Sequence, residues 1–184
     1  MRIFKQLFKI ALAAIIAASP LYTAEAGDKE GETRYTQVNM YSLKGKQLTW
    51  VNYKVDTLIP VNTEVLVKTS RWAGASIIIK ATGQKLEFKN RERHSGLTDE
   101  AWAAKHFGSH KVDLSQFAKL EREAINLAQV EIGMSKKAVI VARGYPPAHR
   151  TPSLEAPEWL YWQNRWNKKA VRFDSNGKVS GFRE

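Results

Sequence analysis

Trp159, Tyr161, Trp162 and Trp166 fall within eight residues, and Arg165, Lys168, Lys169 and Arg172 lie among or beside them. Aromatic rings next to guanidinium groups are the composition of binding hot spots, because they combine rigid apolar area with polar edges. The chemistry this pattern points to is recognition, with Trp159, Tyr161, Arg165, Trp166 and Arg172 as the candidate partner-binding residues. The competing reading is that the remainder of the chain covers these rings, which would make them core.

Other chemistries have less to stand on. His106 and His110 are four apart, a spacing that puts two imidazoles on one helix face as zinc ligands. Gly108 between them weakens such a helix, and no third ligand has metal-like spacing. His94 and His149 stand alone in polar stretches and read as solvated. The chain has no cysteine, no G-x-S-x-G elbow, no S-x-x-K and no glycine-rich phosphate loop. Glu155 and Glu158 are close, but acids beside a loop are usually surface charges. No catalytic, cofactor-binding or metal-binding residue is assigned. An enzyme of unrecognised type would need a deep pocket lined by convergent polar groups.

The aromatic cluster needs a strand to position it. Residues 159–163 alternate so that both faces are apolar. Residues 170–174 and 178–182 follow as two more strands, and Asn176-Gly177 between them is a strong hairpin signal. Three strands alone are marginal and need a cover. Two helices upstream can supply it. One starts at Asp113, with Gln116 to close a capping box, and places Leu114, Phe117, Leu120, Ala124, Leu127 and Ala128 on one face. Lys119, Glu121, Arg122 and Glu123 fall opposite. Gly133 ends this helix, Ser135 caps the next, and Gly144 with Pro146-Pro147 stops that one.

Upstream of residue 113 the chain reads differently. Residues 48–55, 64–68, 75–80 and 85–89 are strand-like, with a turn at 81–84 and breaks at 60–63 and 72–74. Trp50, Tyr53 and Trp72 read as core. Thr98 can cap a short helix through Phe107, stopped by Gly108. The expected fold class is α+β. A small antiparallel β-barrel-like or curled-sheet region with a short helix near its end occupies residues 34–112. A two-helix, three-stranded antiparallel module occupies residues 113–184.

Residues 1–26 carry a basic start, an apolar run from Ile10 to Ala18 and an Ala24-Glu25-Ala26 end, the pattern of a cleaved secretory signal. The apolar run is shorter than the roughly 20 residues a membrane span needs, and no other segment reaches that length. Without a cysteine the chain cannot be a lipoprotein. The expectation is a soluble, non-lipidated periplasmic protein. Removing three basic residues (Arg2, Lys5, Lys9) and one acid (Glu25) takes the net charge from +11 to +9. So basic a protein suits acidic partners: anionic lipid headgroups, cell-wall polymer or an acidic protein face. Export argues against nucleic acid.

The order of elements in the second region is carried by Ile132-Gly133-Met134-Ser135-Lys136, Val139 and Gly144-Tyr145-Pro146-Pro147. It continues through Trp159-Leu160-Tyr161-Trp162 and Val171-Arg172-Phe173-Asp174-Ser175-Asn176-Gly177-Lys178-Val179. In these features it resembles the BamE/SmpA/OmlA family of small outer-membrane assembly proteins, over about residues 113–184. The resemblance implies a two-helix, three-strand fold and an envelope setting. The chain departs from the family's usual pattern by lacking the lipidated cysteine and by carrying about 80 additional β-rich residues. Together these readings give a non-catalytic envelope protein binding a protein or cell-wall partner through the last sheet. The alternative is a peptidoglycan- or anionic-lipid-binding module led by the first region.

Overall fold

A computed structural model of the chain describes residues 31–70 and 74–184. The expected signal segment, residues 1–26, and Trp72 lie outside the described residues. The fold is mixed α+β, with a curled, half-barrel sheet and a few helices.

The first region contributes β1 (Glu32–Thr36), β2 (Met40–Leu43), β3 (Gln47–Thr49), β4 (Leu58–Ile59), β5 (Glu64–Ser70), β6 (Gly74–Ile79), β7 (Lys85–Lys89) and β8 (Phe107–Gly108). They form one sheet in the order β4-β2-β3-β7-β6-β5-β1-β8. Strict alternation sends Leu86 and Phe88 of β7, and Ala75, Ile77 and Ile79 of β6, into one core while their neighbours face outward. Two short helices, α1 (Glu92–Ser95) and α2 (Asp99–His106), follow β7. Thr98 caps α2 by accepting the Ala101 N–H at 3.2 Å, as its sequence predicts. Trp102 and Phe107 then close the core against Phe88, with Phe88 and Trp102 ring centres 4.8 Å apart. Two expectations are corrected here. The sheet is not wholly antiparallel, because β3 runs parallel to β7. The strand expected at 48–55 ends at Thr49, and Asn52 turns away at φ 50° to place its amide in the hydrogen-bonded junction described below.

The second region contains α3 (Lys119–Asn126), α4 (Lys136–Arg143), β9 (Glu158–Trp162), β10 (Lys168–Phe173) and β11 (Val179–Arg183), the strands pairing antiparallel in the order β11-β10-β9. Ser135 caps α4 through the Ala138 N–H, and Asp174 accepts from the Asn176 and Lys178 amides to shape the expected Asn-Gly hairpin. Ala124, Ile125, Met134, Ala138 and Val139 of the helical layer pack on Trp159, Tyr161, Val171 and Phe173 of the sheet.

The helix expected from Asp113 is shorter and rotated. Residues Leu114–Gln116 form a 3-10 turn, the chain kinks at Phe117-Ala118, and α3 begins only at Lys119. Leu120 and Leu127 therefore point to solvent, while Glu121, assigned to the polar face, is buried. Its carboxylate accepts the Ser135 N–H at 2.7 Å and the Ala118 N–H at 3.1 Å, with Lys178 Nζ at 3.5 Å. One acid thus ties the starts of both helices. Burial alone would raise its pKa, but these donors hold it below the ordinary carboxylate value.

The two regions meet through backbone caps. The last carbonyls of a helix have no intrahelical partner. On α4 the Ile140 carbonyl accepts from Gly144, and the first region satisfies the next three. Asn39 N–H donates to Val141 at 2.8 Å, Asn39 Nδ2 to Ala142 at 3.1 Å, and Asn52 Nδ2 to Arg143 at 3.0 Å. Asn39 Nδ2 also reaches the Ile125 carbonyl of α3 at 2.6 Å. Gly144 makes this possible. Its backbone lies at φ 86°, ψ 178°, a region that only glycine adopts readily, and a Cβ there would sit 2.6 Å from Asn52 Nδ2.

Candidate functional site

The last sheet has two faces, and the five candidate residues divide between them. Trp159 and Tyr161 point into the helical layer and are 0% and 2% exposed. Trp159 packs edge-on to Phe173, and Tyr161 donates its hydroxyl to the Gly144 carbonyl at 3.0 Å. They are core side chains with no surface to offer a partner, which corrects the expectation that they bind one. Burial raises the Tyr161 hydroxyl pKa, so it stays a neutral donor.

Arg165, Trp166 and Arg172 are exposed. Trp166 sits at the tip of the β9–β10 hairpin, 77% exposed. The turn is built by Asn164, whose Oδ1 accepts the amides of Trp166 and Asn167, both at 2.8 Å, while Gln163 N–H closes onto the Asn167 carbonyl. This Asx geometry holds the tip and throws the indole outward. The Arg165 guanidinium lies 5.2 Å from the Trp166 ring centre. Leu160 and Trp162, which belong to the aromatic run but not to the five candidate residues, lie by alternation on this outer face, partly exposed. Lys168 pairs with Trp162 in the β9–β10 register and its ammonium stands 4.7 Å over that ring.

Charge frames the same face. Glu158 accepts from Arg172 at 3.1 Å and also pairs with Arg183. The Arg183 hydrogen bond leads in holding the Glu158 carboxyl below its ordinary range; burial opposes it and Arg172 adds to it. Beside them a groove of about 640 Å³ is lined by Leu160, Gln163, Trp166, Asn167, Lys168, Lys169, Arg183 and Glu184. Its walls are three cations, one acid, an aliphatic side chain and an indole. Such a surface can hold an acidic or aromatic segment through stacking and charge-assisted hydrogen bonds.

The histidines are placed differently from their sequence reading. His106 is buried, with its ring 3.9 Å from that of Trp102 and Nδ1 2.7 Å from the Trp102 carbonyl. Burial leads in lowering its pKa to about 4. His110 is exposed and contacts Ser109. His94 and His149 are not solitary: the His94 ring stacks on Trp50 at 5.2 Å, the His149 ring meets Trp50 edge-on at 5.1 Å, and the two imidazoles stand 5.4 Å apart. Burial, then Arg150 and His94, lower the His149 pKa. Among the described residues no three His, Cys, Asp or Glu side chains gather as metal ligands would. Among those residues, too, no helix is long and apolar enough to cross a membrane.

Comparison of the chain with family models, with curated proteins and with solved structures gives no match.

Proposed function

We propose that the protein is a non-catalytic, periplasmic envelope protein that docks a protein partner on the outer face of its last sheet. Trp166 carries this reading. Covering an indole left 77% exposed would contribute about 4 kcal/mol of apolar burial, and the ordered Asn164 turn has already fixed its backbone. Arg165, Trp162, Lys168 and Arg172 surround it with the aromatic and cationic composition of a hot spot. The order of α3, α4 and β9–β11 supports a likeness to the BamE/SmpA/OmlA module. With it comes a setting in outer-membrane protein assembly or envelope integrity. The export pattern of residues 1–26 and the absence of cysteine support a non-lipidated periplasmic form.

The test is a photo-crosslinking amino acid placed at position 166, at 162 and, as a control, at 105 on α2. The expected result is a discrete protein adduct from 166 and 162 and none from 105. Adducts from 105 alone would move the docking surface to the first region. A second reading, binding to peptidoglycan or anionic lipid led by the first region, rests on the +9 charge of residues 27–184. It requires retention on purified peptidoglycan or anionic vesicles that collapses with added salt and ignores Trp166→Ala.

A further inference from the structure

Arg143 is 3% exposed, yet no carboxylate among the described residues pairs with it. Its Nη1 donates to the Asn52 carbonyl at 2.7 Å and its Nη2 to the Trp162 carbonyl at 2.8 Å. Its Nε is buried without a partner. The guanidinium stands 5.3 Å from the Tyr161 ring centre and 5.8 Å from that of Tyr41. Carbonyls and rings solvate a cation but do not neutralise it, and a buried charge without a counter-ion is costly. Two of the five donors of a guanidinium are used here.

Arg143 lines a cavity of about 310 Å³ between the end of α3 and the inner face of β9–β11. Lys54 and Lys169 line it too, against a single acid, Glu131. Three cations facing one carboxylate repel one another. The pKa of the exposed Lys54 is lowered chiefly by partial burial of its ammonium, with Arg143 and then Lys169 adding to the shift. The Lys169 ammonium lies 4.2 Å from the Phe182 ring centre instead of on an acid. The rest of the wall includes Ala128, Val130, Val171 and Phe182, so apolar side chains line the cavity beside the charged ones. Its volume is at the lower end of small-molecule pockets, about 300–1,000 Å³.

We infer that this cavity is a binding site for a small organic oxyanion, a carboxylate or phosphate monoester carried on a short apolar body. The oxyanion would supply the missing counter-charge to Arg143, Lys54 and Lys169, and the apolar body would lie against Val171 and Phe182. Guanidinium donors suit either oxyanion, since both offer paired acceptor oxygens. The site is separate from the outer groove: it opens on the opposite face of the sheet, and only Lys169 and Gln163, beside the β9–β10 turn, line both.

Titration calorimetry on the full folded chain in phosphate-free buffer tests this, with hexyl phosphate and hexanoate as ligands and hexanol as the uncharged control. Both anions are expected to bind and hexanol not. Lys54→Gln and Lys169→Gln should each weaken binding about tenfold, the loss of one ionic hydrogen bond, while Lys168→Gln on the outer face leaves it unchanged. Tighter binding of hexyl phosphate assigns the site to phosphate monoesters, and tighter binding of hexanoate to carboxylates. The inference is overturned by hexanol binding as well as the anions, or by anion binding that Lys54→Gln and Lys169→Gln leave intact. It is equally overturned if neither anion binds at about 10 mM, the weakest range a specific pocket of this kind would show.

Discussion

Neighbouring side chains of β9 have opposite fates, because alternation turns Trp159 and Tyr161 inward and Leu160 and Trp162 outward. Trp159 and Trp166 look equivalent in sequence. Trp159 lies on the helix-facing side of β9 and Trp166 at the hairpin tip. Trp159→Ala should cost about 3–5 kcal/mol of stability, as large-to-small core changes do, whereas Trp166→Ala should stay within about 0.5 kcal/mol of wild type. Urea unfolding of the two variants checks both values. A second residue-scale effect is titration of His106. Its folded pKa of about 4 lies below its ordinary value of 6.5, so the unfolded chain binds a proton that the folded chain resists. Stability from this group is complete above pH 6.5 and falls as pH drops toward 4. Near pH 5 the protein should have lost about 2 kcal/mol relative to pH 7.5. His106→Gln should flatten that slope, as measured by denaturant midpoints across the range.

At the scale of elements, α4 is held at both ends by residues distant in sequence, in addition to its own N-cap. Ser135 and Glu121 fix its start, while Asn39 and Asn52 satisfy the carbonyls at its end. Asn39→Ala would leave the Ala142 carbonyl and the Val61 N–H without their partner and would remove one of the donors to the Ile125 carbonyl, which keeps the Ala128 N–H. The expected loss is about 3 kcal/mol, with both regions melting together. Fluorescence and amide exchange should report one shared transition. Two separated transitions would mean that the caps do not couple the regions. Much of this element structure was legible in the sequence. Thr98, Ser135, Gly144 and Asn176-Gly177 act where their local chemistry predicts, because caps and turns depend on short-range geometry. The failures have long-range causes. Periodicity places Glu121 on the solvent face, because it cannot reveal that a second helix start will need its carboxylate. The run at 48–55 has strand propensity, but Asn52 is required for a cap made across the interface. Trp166 and Arg165 were legible as candidate site residues from composition. The division of Trp159 and Tyr161 from them was not, since an apolar run on both strand faces does not say which face the helices cover. The cavity at Arg143 had no sequence signal, because it draws Lys54, Arg143 and Lys169 from three separate stretches.

At the scale of the whole molecule, two cores meet at a polar junction, and the last sheet is the layer whose outer face the first region leaves open. Val61 joins the second core and Tyr145 packs on the first, so the junction is interdigitated as well as capped. The basic excess gives any acidic partner a long-range attraction that salt screens, while the stacking surface around Trp166 is short-ranged and tolerates salt. Co-sedimentation of the full chain with washed cell envelopes at 0.5 M salt therefore isolates the contribution of the outer face. The account predicts that the wild-type chain is retained and that the double variant Arg165→Ala with Trp166→Ala, unfolding at the same denaturant midpoint, is retained about tenfold less, as loss of a hot spot implies. Equal retention of the two folded proteins would contradict it.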